Sequence, residues 1–125
     1  MTDTPPTAAP VAETTEKTID WNAMLAPYRQ PVAWKSGFQL ASTAFLLALF
    51  WGLAAWSLQV GYWLTLTLAV PASMMIARLF MLQHDCGHGS FFRSQKLNNL
   101  IGGALGVITL VPYAYWRRTH AIHHA

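Results

Sequence analysis

The sequence predicts an all-α integral membrane protein, with a two-helix transmembrane hairpin followed by interfacial or re-entrant helices. Three observations carry this reading. The 125-residue chain is 54% hydrophobic and only 10% charged, where a soluble domain carries about 25% charged residues. Ser36 to Ala77 contains no Asp, Glu, Lys, Arg or His, an uncharged run of about 42 residues where one spanning helix needs about 20. All five histidines lie beyond that run, in two groups at helical spacing.

The elements follow in order. Residues 1–17, "MTDTPPTAAPVAETTEK", are rich in Pro, Thr and Ala and poor in aromatic and branched apolar residues, which predicts a disordered tail. Residues 18–125 form the membrane part. Ile19, Trp21, Leu25 and Tyr28, broken by Pro27 and Pro31, read as a short interfacial segment, since Trp and Tyr favour the membrane boundary. The uncharged run breaks at "SLQVG", residues 57–61, which gives spans at about 37–58 and 62–82 joined by a very short turn. Pro71 lies in the second span, where a membrane tolerates it.

Charge supplies an orientation. The net charge is +3, but four of the five acids lie in the first twenty residues and seven of the eight basic residues lie beyond them. Arg29 and Lys35 precede the hairpin; Arg78, Arg93, Lys96, Arg117 and Arg118 lie at or after its second end; the turn has none. Both ends of the hairpin, and the histidines with them, are expected on the cytoplasmic side of a bacterial inner membrane. Basic residues so placed indicate lipid, not nucleic acid. Cys86 is the only cysteine, so no internal disulfide forms.

Leu97–Trp116 is uncharged and long enough to span. A span here would put the two histidine groups on opposite faces and one basic pair outside. The sequence argues against it. Asn98 and Asn99 shorten the apolar core to Leu100–Val111, which Pro112 then interrupts.

The histidines are His84 and His88 in "HDCGH", and His120, His123 and His124 in "HAIHH". Spacings of i, i+4 and of i, i+3, i+4 aim each group at one point from a helix. A single such pair is common on a polar surface; five of five histidines in two such groups point to a metal. Imidazole suits iron, zinc, copper and nickel alike. There is no HExxH and no CxxC pair, and Asp85 is the only acid after Asp20, so the site is rich in histidine and poor in carboxylate. Asp85 either orients a histidine through its second ring nitrogen or caps a helix end. Gly87 permits close packing.

"HDCGHGSFF" resembles the first histidine box of the integral-membrane fatty acid desaturases, and "WRRTHAIHH" resembles their second, of the HxxHH type. The form is similar to the acyl-lipid Δ12/ω-6 type. The resemblance runs from about Trp21 to the end. It implies a di-iron centre held by three histidine boxes, with His84 and His88 as ligands from the first and His120, His123 and His124 from the second. It also implies O2, a fatty acyl lipid or thioester as substrate, and a ferredoxin or cytochrome b5-type electron donor. The family's third box and second pair of spans do not follow in these residues. The chain is therefore expected to be an N-terminal fragment of a four-span enzyme, inactive alone. Two other functions compete. One is a histidine-box hydroxylase or ketolase acting on an alkane, sterol or carotenoid; the other is a non-catalytic metal-binding membrane protein.

Overall fold

The computed structural model describes residues 20–123, with the side chains of Asn22, Tyr28 and Arg29 excepted. The expected tail and His124 lie outside the described residues. Among the described residues every regular element is a helix. A short α1 (Trp21–Leu25) runs into a 3-10 turn (Ala26–Arg29). Two long helices follow, α2 (Ala33–Ser57) and α3 (Tyr62–Gly87), and then two shorter ones, α4 (Gln95–Ile108) and α5 (Tyr113–His123).

The first helix starts where Asp20 Oδ1 accepts the Ala23 N–H at 3.1 Å, an N-cap contact. Trp21, Met24 and Leu25 are exposed, in keeping with an interfacial segment.

Both α2 and α3 are long and apolar enough to cross a membrane. Each outruns its expected span. The first begins at Ala33, not about 37, and the second continues to Gly87, not about 82. Apolarity marks the part of a helix that suits lipid; it does not mark where the backbone ladder stops. The helix continues through Pro71 and then through His84, so the first histidine group sits on the hairpin's own second helix. Val60 and Gly61 both donate to the Ser57 carbonyl at 2.9 Å, closing the turn. Along the hairpin Ser57 Oγ meets Thr65 Oγ1 at 2.8 Å, and Arg78 Nε donates to Thr43 Oγ1 at 3.0 Å. Exposed Trp34 and Trp56 stand about 33 Å apart along α2 at helical rise, close to the roughly 30 Å of a hydrocarbon core.

The C-terminus of α3 closes in a Schellman motif. Gly89 takes φ +70°, its N–H donates to the Cys86 carbonyl at 3.0 Å, and the Ser90 N–H reaches the Asp85 carbonyl at 3.0 Å. The loop that follows is bracketed from two sides. Ser36 Oγ donates to the Phe91 carbonyl at 2.6 Å. Asn98 accepts from the Phe92 N–H and donates to the Phe92 carbonyl, both at 2.8 Å. Polarity at Asn98 was expected to shorten an apolar segment; instead the side chain is fully buried and does the work of a backbone partner for the loop.

Ser94 caps α4 by accepting the Leu97 N–H at 3.4 Å. The helix ends before Pro112, at a second Schellman-type turn in which Leu110 holds φ +58° and the Val111 N–H donates to the Gly106 carbonyl at 3.0 Å. Helices α4 and α5 then diverge by 108°. Leu97–Trp116 is thus an elbow and not one straight helix.

Candidate metal centre

The elbow returns α5 to the end of α3. His84 in the last turns of α3, His88 at its C-cap and His120 on α5 offer ring nitrogens that all lie within 4.8 Å of one another. His88 Nε2 lies 3.3 Å from His84 Nε2 and 3.1 Å from His120 Nε2. Imidazole ligands at about 2.1 Å from one ion would sit about 3.0 Å apart in octahedral and about 3.4 Å apart in tetrahedral geometry. The donor set and its spacing therefore fit a transition metal. Asp85 Oδ1 lies 3.4 Å from His84 Nδ1, the side of the ring away from the cluster.

The expected ligands are not all gathered. His84, His88 and His120 meet. His123 is exposed, its ring centroid 6.3 Å from that of His120, and it does not join the group of three. His124 lies outside the described residues.

Several neighbours set the rings in place. Trp116 stacks on His120 with centroids 4.6 Å apart and planes at 17°, and lies 5.5 Å from the His84 ring. It fits because residue 87 is glycine; a Cβ there would come within 2.6 Å of the indole. Tyr113 donates from its hydroxyl to the Cys86 carbonyl at 3.1 Å, and Arg117 donates to Asn99 Oδ1 at 2.9 Å. Burial pushes the Tyr113 phenol above its ordinary value, while the Arg117 charge pulls it down. Gly102 and Gly106 give Tyr113 its room: a Cβ on Gly102 would collide with the ring, and one on Gly106 would lie 2.7 Å from the Val111 carbonyl oxygen.

The angle between α4 and α5 leaves a crevice of about 1240 Å³. Val107, Leu110 and Pro112 make its apolar wall, and His88 and His120 stand at its edge.

The fatty acid desaturase family model matches residues 60–125, more than half of the sequence. The chain belongs to the fatty acid desaturase family. It is 43% identical over 101 residues to a fatty acid desaturase of Bacillus subtilis, covering 81% of this chain and 29% of that protein. It is 47% identical over 73 residues to an endoplasmic-reticulum omega-3 fatty acid desaturase of Vigna radiata, covering 58% of this chain and 19% of the relative. A chloroplastic sn-2 acyl-lipid omega-3 desaturase (ferredoxin) of Helianthus annuus is 44% identical over 79 residues, 62% of this chain and 18% of its own length. The desaturase chain described here thus spans less than a third of the length of these relatives. No solved structure matches it.

Reading the sequence found the histidines but missed Gln83, Tyr113 and the split roles of the glycines. Gln83 is fully buried and contacts the elbow, 26 and 28 residues away along the chain. Its signal was present as a lone amide at the end of an apolar helix, next to a ligand-type residue.

Proposed function

We propose that this desaturase-family chain supplies the first two histidine boxes of an O2-dependent acyl-chain desaturase. The convergence of His84, His88 and His120 nitrogens within 4.8 Å, on the motifs shared with the family, carries the reading. The overall reaction removes two hydrogens from adjacent methylenes and, with O2, two electrons and two protons, yields a double bond and two waters. Two iron ions, when bound by the histidines of this chain and of a third box, supply the O2 activation. His84, His88 and His120 present neutral ring nitrogens, and His123 and His124 extend the second box. Asp85 accepts the Nδ1 proton of His84 and fixes its tautomer. Trp116 holds the His120 ring by stacking. The apolar crevice beside His88 and His120 suits an acyl chain. Electrons come from a ferredoxin or cytochrome b5-type donor approaching the basic, cytoplasmic side.

The test is a chimera. Residues 1–125 are joined to the C-terminal remainder of the Bacillus subtilis relative and expressed in a host without desaturases, with lipids analysed by gas chromatography and mass spectrometry. The chimera is expected to form a double bond, whose position separates an ω-6 from an ω-3 product. Residues 1–125 alone are expected to form none. His84→Ala, His88→Ala or His120→Ala should cut product to about a hundredth or less, at or beyond the upper end of what losing an outer-shell partner costs. A hydroxylated product would move the assignment to the hydroxylase branch. An inserted chimera without product, in a host where the relative itself is active, would remove the reading.

Orientation has its own test. In a Cys86→Ala background, single cysteines at Ser94 and Thr119 should both be shielded from a membrane-impermeant thiol reagent in intact cells, and both labelled after permeabilisation. Labelling of one alone would mean that the elbow crosses the membrane.

A further inference from the structure

We propose that Gln83 is a positioning residue for His120, acting through the elbow between α4 and α5. The inference rests on reading His84, His88 and His120 as ligands. Gln83 precedes His84 on α3, yet its side chain turns away from the histidines. Thr109 Oγ1 donates to Gln83 Oε1 at 2.6 Å, and Gln83 Nε2 donates to the Val111 carbonyl at 3.3 Å. Both ends of the amide are thus used, and both partners belong to the turn that sets the direction of α5. The side chain is fully buried, where an unmatched amide is costly, so turn and helix hold one relative placement.

The turn needs such a hold. Leu110 sits at its centre with φ +58°, a conformation that a leucine does not favour by itself. Pro112 follows and brings no N–H. From Pro112 to His120 the helix extends about 12 Å, so a change of about 10° at the elbow would move His120 by about 2 Å. That displacement is comparable to a metal–ligand bond. One residue of α3 therefore places both halves of the cluster: its backbone carries His84 next door, and its side chain fixes the elbow from which His120 projects.

The experiment uses Co(II) as the probe. Purified protein in detergent is titrated with Co(II) and followed by visible absorption, alongside circular dichroism and thermal unfolding. Gln83→Met keeps length and removes the amide. Thr109→Val removes the hydroxyl at constant shape, and Thr109→Ser keeps it. Gln83→Met and Thr109→Val should each weaken Co(II) binding roughly tenfold in protein that is still folded, the scale of losing an outer-shell contact. The double variant should be no weaker than the weaker single, since both remove one shared contact. Thr109→Ser should bind like the unmodified protein. A purely structural role would lower the unfolding temperature and leave the affinity of the folded protein unchanged. Affinities within twofold of the unmodified protein for both variants would overturn the proposal. If Gln83→Met does not fold, Thr109→Val against Thr109→Ser decides, and equal affinities overturn it. Absence of Co(II) binding by the unmodified protein would instead remove the ligand reading on which the inference stands.

Discussion

Between α2 and α3, buried Leu47, Leu79 and Leu82 line a long seam whose outer faces are exposed and apolar. Around the elbow the holding groups are of another kind: Gln83, Thr109 and the Tyr113 hydroxyl, with Asn98 bracing the loop before α4, Gly102 leaving room for the Tyr113 ring and Gly106 for the Val111 carbonyl. The hairpin carries two polar side-chain contacts, Ser57–Thr65 and Arg78–Thr43, far apart along its seam; at the elbow such contacts are concentrated around one turn. Among the described residues no buried side-chain nitrogen or oxygen lacks a partner, and most of the long-range contacts that achieve this meet at the elbow or the loop before it. A span is specified by length and apolarity, whereas a site made by two helix ends needs directional contacts, because only these fix an angle.

The largest expected effect separates the glycines of the two regions. Gly102→Ala and Gly106→Ala should destabilise the elbow by about 2–3 kcal/mol, the upper part of the range for overpacking, and disperse the Co(II) site. Gly37→Ala and Gly52→Ala in α2 meet nothing within 4 Å and should be neutral or gain up to about 1 kcal/mol. Equal losses in both regions, measured by denaturant unfolding in mixed micelles, would break the contrast.

A smaller difference is expected between buried polar groups. Asn98→Ala leaves both the N–H and the carbonyl of Phe92 without their partner and should lose about 1–3 kcal/mol. Ser57→Ala in the hairpin gives up its contact with Thr65 and should lose about 0.6 kcal/mol, typical of a polar contact between helices in a membrane. A Ser57 variant as damaging as the Asn98 variant would show that the hairpin too depends on directional contacts.

The smallest effect compares two helix ends. Gly89 and Leu110 occupy the same left-handed position of the same capping motif. Leu110→Gly should stabilise by up to about 1 kcal/mol, since it removes the penalty a side chain carries there, offset in part by the entropy of glycine. Gly89→Ala should lose about as much. A destabilised Leu110→Gly would mean that the exposed leucine packs against something that outweighs its backbone conformation.

These contrasts explain what was legible in the sequence. The hairpin announces itself through an uncharged run, and its turn through Gly61. The histidines announce themselves by spacing, whereas the end of α3 lies beyond the apolar stretch that was read as its span, at a Gly89 cap that hydropathy does not mark. The elbow gives weaker signs. Pro112 marks a break, but the chain turns at Leu110, which by propensity alone argues against a left-handed cap. Asn98 reads as a solvated residue because nothing local reveals that Phe92 needs it. Gln83 and Thr109 meet across 26 residues, a distance over which periodicity carries no information. His123 shares the HxxHH pattern with His120, yet its ring centroid stands 6.3 Å from that of His120 and it does not join the other three.

The register of the hairpin also fixes a depth. Thr43 faces Arg78, and nine residues further along each helix Trp34 comes level with Gly87, next to His88. Trp34 is 69% exposed, and tryptophan settles at the boundary between hydrocarbon and water. On the orientation proposed above, with Trp34 at that boundary, the cluster would stand at the height of the lipid head groups. Reagents from two phases can meet there. Under the function proposed above, a long acyl chain would reach the histidines without leaving the oily phase, while an electron-carrying protein would remain in water. On that reading the dividing surface between the phases becomes part of the site, set by the placement of one tryptophan nine residues from a threonine.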